Sequence, residues 1–253
     1  MKITFLGTGT SQGVPIIGCN CPVCSSLDFR DKRLRTSLHV AIDDQSLVID
    51  TGPDFRQQML RENINRLDAV IFTHAHRDHT AGLDDVRAYN FLQQMDMPVY
   101  GTIQTLEQLK VEYAYAFARD NYPGIPRLQL HEISEDAFQV NGIDVLPLPV
   151  MHLHMPVLGF RFQNFSYITD AKSIGPETLE RLQGTDILVL NALQHDWHIS
   201  HFNVEEALKV VAQVKPRKTY FTHISHKLGL HAAVEKQLPS DISLAFDGLQ
   251  LDI

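Results

Sequence analysis

Thr73-His74-Ala75-His76-Arg77-Asp78-His79-Thr80 carries three histidines and an aspartate between positions 74 and 79. The stretch before it, Leu67-Asp68-Ala69-Val70-Ile71-Phe72, is an apolar run that reads as a short strand. The stretch after it, Ala81-Gly82-Leu83-Asp84-Asp85-Val86, reads as a helix start. The motif therefore sits on a strand-to-helix loop, where a rigid scaffold presents side chains. Imidazole nitrogens and a carboxylate suit zinc, manganese or iron. No single small ion takes all four side chains from so tight a turn. The economical reading is a pair of ions, with His74 and His76 on one and Asp78 and His79 on the other. A merely solvated polar loop has no reason to end a strongly apolar strand in HxHxDH.

Composition bounds what surrounds this loop. The 253 residues are 44% apolar and 21% charged, ordinary for a globular protein with a substantial core. A net charge of −8 argues against a general nucleic-acid surface, and bound cations would offset part of it. No run is long and apolar enough to span a membrane, and Met1-Lys2-Ile3-Thr4-Phe5 has no signal-peptide pattern, so the expectation is a cytoplasmic protein. No linker or repeat divides the chain, which reads as one domain over residues 1–253. All three cysteines fall in Gly18-Cys19-Asn20-Cys21-Pro22-Val23-Cys24. CxCxxC in such a chain suggests zinc more than disulfides, and a fourth ligand must come from far along the sequence. A closed four-ligand site has no room for water and is structural.

In chain order, Lys2 to Leu6 reads as a strand and Gly7 to Gly13 as a tight glycine loop. Arg33 to Thr36 reads as a basic linker, with Arg35 either solvated or facing an anionic substrate, the former favoured. Ser37–Ile42 and Ser46–Ile49 form a hairpin signal, followed by turn chemistry at Asp50-Thr51-Gly52-Pro53-Asp54 and a helix from Phe55 to Glu62. Asp84–Met95 and Ile103–Arg119 read as helices. Tyr113-Ala114-Tyr115-Ala116-Phe117 with Tyr122-Pro123 reads as packing rather than base stacking. Asn141-Gly142 marks a hairpin within Phe138–Leu148. A strand then leads into Met151-His152-Leu153-His154, where spacing alone does not choose between the histidines. Phe165–Ala171 is a strand ending in Asp170, and Asp186–Leu190 is another. His195, His198 and His201 precede a helix over Val204–Val214, and the strand Arg217–Phe221 ends at Thr222-His223-Ile224-Ser225-His226.

The HxHxDH loop resembles the signature of the metallo-β-lactamase superfamily, and the likeness runs in order through Asp50, His152, the YITDA element and His223. The resemblance implies an α+β, four-layer αββα sandwich. It implies metal ligands His74, His76, Asp78, His79, His152, Asp170 and His223, with Asp170 bridging two divalent ions, zinc or manganese, and Asp78 doubling as part of the catalytic machinery. Asp50 would orient the ligand loop without touching metal. The CxCxxC knuckle together with His226 resembles the PhnP-like cyclic phosphodiesterase branch, which implies a structural zinc on Cys19, Cys21, Cys24 and His226. His201, in its His-Phe-Asn context, resembles that branch's non-ligand catalytic histidine, expected here as an imidazolium. His154 is left as a substrate-facing or solvated residue, and His195 and His198 as substrate-facing or loop residues. The implied activity is hydrolysis of a small-molecule, cyclic phosphodiester by a water activated between the ions. The alternatives are a thioester or lactam hydrolase and a tRNA 3′-processing nuclease, although no basic arm for tRNA is evident. A homodimer is compatible with the resemblance.

Overall fold

The computed structural model describes residues 1–118 and 124–253; Arg119, Tyr122 and Pro123 lie outside the described residues. The chain's contacts gather into two compact units, one of residues 1–6, 37–134 and 248–253, the other of residues 7–36 and 135–247. Among the described residues no helix is long and apolar enough to cross a membrane.

In the first unit the apolar run before the motif becomes the strand Ala69–Ile71, buried throughout. Its neighbours Gln45–Ile49 and Met97–Gly101 both run parallel to it. Strands buried on both faces read as continuous apolar runs rather than alternating ones, which is why this stretch shows no period of two. The sheet order is Gln250–Asp252, Lys2–Gly7, Ser37–Ile42, Gln45–Ile49, Ala69–Ile71, Met97–Gly101 and Leu128–Glu132. Its core gathers Val48, Phe55, Met59, Val70, Phe72 and Leu109 among others. The helix Phe55–Arg61 forms as expected. The other two helices are corrected. Residues 84–95 split into a 3-10 turn, Leu83–Val86, and a helix, Arg87–Gln93, that stops where Gln94 turns left-handed at φ 54°. The helix from Ile103 ends at Glu112, and Ala114–Phe117 is a separate 3-10 turn. Helical periodicity carries through both breaks, so the pattern did not reveal them. Of the aromatic cluster only Tyr113 packs as expected, buried and donating its hydroxyl to the Thr80 carbonyl at 2.7 Å, whereas Tyr115 and Phe117 are exposed.

The second unit is built on a sheet ordered Ser173–Ile174, Ile143–His152, Met155–Phe162, Phe165–Ile168, Ile187–Asn191, Lys218–Thr222 and Ile242–Leu244, with Phe138–Val140 pairing Ile143–His152. The first members are antiparallel hairpins, and from Phe165–Ile168 onward the strands run parallel. The helix Val204–Val214 covers this sheet with Ala207, Val211 and Val214, and a reciprocal capping box between Asn203 and Glu206 fixes its start. In the glycine loop, Gly9 is required by close approach, since a Cβ there would lie 2.8 Å from the Arg33 carbonyl. Arg33 opens the expected basic linker. It is buried, and it donates to Thr8 Oγ1 at 2.8 Å and the Ala245 carbonyl at 2.6 Å. Burial pulls its pKa down to about 10.

Candidate metal centre

In the first unit, the parallel strands Gln45–Ile49 and Ala69–Ile71 deliver Asp50 and the histidine motif from the same end, tied by the Asp50 N–H to the Ile71 carbonyl at 3.0 Å. Arg77–Thr80 is a single helical turn, so His76, Asp78 and His79 project from its start. It is also tied by the Thr51 N–H to the His79 carbonyl at 2.8 Å and by the Glu112 carboxylate, which takes Arg77 at 2.8 Å and Thr80 Oγ1 at 3.2 Å. Gly82 is obligatory just beyond, because a Cβ would overlap the Gly52 carbonyl.

Asp50 sets the tautomers of two histidines. It is fully buried and left-handed at φ 63°. Its Oδ1 accepts the Thr73 N–H at 2.9 Å, and its Oδ2 accepts the Thr73 hydroxyl at 2.8 Å and His79 Nδ1–H at 2.7 Å. With its proton given to Asp50, the Thr73 hydroxyl accepts from His74 Nδ1–H at 2.9 Å. Both rings are thereby protonated at Nδ1, which leaves Nε2 as the ligand atom. The His74 and His79 rings lie 4.2 Å apart, the His74 and His76 rings 4.7 Å apart, and His79 Nε2 lies 3.3 Å from Asp78 Oδ2. Burial pushes the Asp50 carboxyl up, while the donors on its oxygens favour the charged form. This donor set fits divalent ions.

The second unit gathers its own donors at the ends of its parallel strands. Asp170 and His223 are both left-handed, at φ 58° and 55°, and His223 Nε2 lies 3.2 Å from Asp170 Oδ1. Left-handed backbone at three non-glycine site residues, Asp50 included, is the kind of strain that clusters at functional sites. Asn191 holds the Asp170 turn, its amide accepting the Ala171 N–H at 2.8 Å and donating to the Ala171 carbonyl at 2.9 Å. His152 ends its strand and donates Nδ1–H to the Ser200 carbonyl at 2.8 Å, again leaving Nε2 as the ligand atom. His154 sits in the following turn and is exposed, so the turn separates what alternation had placed together. His195 is exposed as well. Arg35 donates to the Ser11 carbonyl at 3.3 Å.

His201 lies between these donors, its ring 4.5 Å from His152 and 4.7 Å from His223. Its Nδ1 is 4.0 Å from Asp170 Oδ2. The ligand atoms of His152, Asp170 and His201 lie within 4.8 Å of one another, so the geometry also admits His201 as a ligand. A standing imidazolium is corrected: burial, with His223 and His152 adding to it, pushes the pKa down to about 2, and the ring is neutral.

Cys19, Cys21 and Cys24 each place Sγ 3.4 Å from His226 Nδ1. Tetrahedral zinc, with bonds of about 2.3 Å to sulfur and about 2.0 Å to nitrogen, sets such atoms about 3.5 Å apart. The Cys24 N–H donates to Cys21 Sγ and the Ile16 N–H to Cys24 Sγ, each at 3.4 Å. The first bond leads the forces that lower the Cys21 pKa to about 6, while burial raises that of Cys24 to about 11. The donor set fits a closed structural zinc. The glycine loop runs beside this region, with Ile224 N–H donating to the Thr8 carbonyl at 2.8 Å.

The sequence missed Thr73, Asn191 and Ser200, which act through a hydroxyl, an amide and a carbonyl on other residues. Only Thr73, adjacent to the motif, carried any local signal.

A family model described as a beta-lactamase superfamily domain matches residues 45–224. A crystal structure of a diphosphatase from the PhnP family is 42% identical, covers 100% of this chain and 97% of that chain, and superposes with a TM-score of 0.93. The zinc-bound PqqB structure from Methylobacterium extorquens, 21% identical with a TM-score of 0.79 over 100% of both chains, shares the fold. A Porphyromonas gingivalis octanoyltransferase is 39% identical over 99% of this chain, which spans 51% of that relative's length. On these grounds the chain belongs to the metallo-β-lactamase superfamily and is similar along its whole length to the PhnP family.

Proposed function

We propose that this metallo-hydrolase cleaves a phosphodiester, PhnP-like in preferring a small, cyclic one. The observation that carries the reading is the 42% identity to a PhnP-family diphosphatase over the entire chain. In this reading His74, His76, Asp78, His79, His152, Asp170 and His223 hold two divalent ions, zinc or manganese, and the Cys19, Cys21, Cys24 and His226 clasp holds a structural zinc. Ions so bound acidify water and neutralise charge on phosphoryl oxygens.

The chain's own residues do the rest. Asp50 and Thr73 keep the His74 and His79 lone pairs at Nε2, and the Ser200 carbonyl does the same for His152. Neutral His201 relays a proton, one ring nitrogen taking it from the attacking water while the N–H of the other gives its own to the leaving oxygen, a role typically worth about 10²–10⁴ in rate. A second reading, a diphosphate linkage, takes its support from the name of the same relative. It keeps the chemistry at phosphorus and changes the leaving group.

The test is a substrate panel on the metal-loaded protein. Bis-p-nitrophenyl phosphate, nucleoside 2′,3′-cyclic phosphates and a 1,2-cyclic phosphate are run beside a dinucleoside diphosphate, a thioester and a lactam. Turnover of the diesters above the rest supports the proposal, and preference for the diphosphate moves it to the second reading. Turnover confined to the thioester or lactam overturns both.

A further inference from the structure

Trp197 is the sole tryptophan of the sequence, and it is 65% exposed. It rides on the loop between the strand Ile187–Asn191 and the helix Val204–Val214, the same loop that carries His198, Ser200 and His201. An exposed aromatic on a loose loop would be unremarkable, but this loop is pinned at both ends. The Leu193 N–H donates to the Phe202 carbonyl at 2.9 Å, the Val204 N–H to the Gln194 carbonyl at 3.0 Å, and Asn203 Nδ2 to the His195 carbonyl at 3.1 Å. His152 donates to the Ser200 carbonyl at 2.8 Å, so the loop that carries Trp197 also orients a proposed metal ligand.

The indole is itself held. Lys172 Nζ lies 5.0 Å from the ring centroid. That ammonium is fixed by both Glu206 oxygens, at 2.8 and 2.9 Å, and Glu206 is locked in the capping box of the helix. A cation over one face of a tryptophan orients the ring. The result is an aromatic plate held in place and left uncovered. Trp197 and His201 are four residues apart, so their Cα atoms lie at most ~14 Å from one another. One nucleotide-sized molecule spans that distance. The His198 ring is 5.2 Å from His201.

We propose that Trp197, braced by Lys172, determines specificity by stacking a planar aromatic group, such as a nucleobase, borne by the substrate. This rests on the reading of the site as a phosphate-ester hydrolase. Every base offers a π-face, so the plate selects for an aromatic group without reading which base it is.

The single tryptophan makes the test direct. Its fluorescence in the metal-loaded protein is titrated with a nucleoside monophosphate, with ribose 5-phosphate and with inorganic phosphate. Saturable quenching by the nucleotide alone is expected. Equal response to all three, or to none, overturns the proposal. In parallel, Trp197→Ala lowers the ratio of kcat/KM for a nucleoside 2′,3′-cyclic phosphate to that for glycerol 1,2-cyclic phosphate by about tenfold. Trp197→Phe restores most of the ratio, and an unchanged ratio in Trp197→Ala overturns the proposal. The two readings fail separately. Ester turnover without nucleotide quenching sinks the platform alone, whereas quenching without ester turnover sinks the proposed function and leaves the platform standing.

Discussion

Asp50→Asn replaces one carboxylate oxygen by an amide nitrogen at a site that offers only donors. The left-handed φ of 63° is open to asparagine, so the backbone is spared. If the new amide group takes the Oδ1 position, it faces the Thr73 N–H across 2.9 Å, donor against donor. A buried donor left unsatisfied costs about 1–3 kcal/mol. If it takes the Oδ2 position, it faces His79 Nδ1–H across 2.7 Å. The ring then escapes only by moving its proton to Nε2, which removes the ligand lone pair. Losing such a supporting group typically costs about 10- to 100-fold in metal affinity. Asn therefore loses either stability or metal whichever way it turns. The expected result is weaker binding of active-site metal in a chelator competition, or a melting temperature lower by ~2–12 °C at about 2–4 °C per kcal/mol. An Asp50→Asn protein with the metal affinity and melting temperature of the parent would show that Asp50 does not set these tautomers.

Three further outcomes are expected. His201→Ala keeps its metal by elemental analysis and loses about 10²–10⁴ in turnover; metal content falling in step with activity would make His201 a ligand instead. Cys21→Ser loses one zinc per chain and lowers the melting temperature while metal-dependent activity survives at reduced temperature; an unchanged zinc content would refute the structural clasp. The third concerns pH. Burial lowers the His39 and His231 pKa values to about 4, from an ordinary 6.5. Between those values the unfolded chain binds protons that the folded chain refuses, so stability falls as pH drops from about 6.5 to about 4. His39→Gln, which cannot charge, flattens that slope in melting temperature against pH, and an unaltered slope would remove His39 from the account.

Much of this was legible because its causes are local. A fully apolar strand followed by HxHxDH marks both the burial of Ala69–Ile71 and a cluster of nitrogen and oxygen donors at its end. The knuckle of Cys19, Cys21 and Cys24 announces a thiolate site by spacing alone. What escaped depends on contacts between distant segments. The break after Glu112 leaves helical periodicity intact, and spacing alone does not separate His152 from His154; it is the resemblance that picks out His152, which ends its strand while His154 sits in the exposed turn. Arg33 looks like surface charge until Thr8 and the Ala245 carbonyl enclose it. Asn191 works through its amide on the Ala171 backbone, a bond with no sequence signature. Trp197 stands out as the sole tryptophan, yet only Lys172 and Glu206 show that it is braced rather than loose.

The central claim is metal-dependent cleavage at phosphorus by ions held on the His- and Asp-rich donor sets, with a separate ion in the cysteine clasp. The most direct measurement titrates divalent metal into the chelated protein while bis-p-nitrophenyl phosphate hydrolysis and bound metal are followed together. The account predicts an inactive protein that retains one tightly held zinc and gains activity as two further ions bind per chain. Full hydrolysis by the chelated protein, or saturation with metal without any hydrolysis, would contradict it.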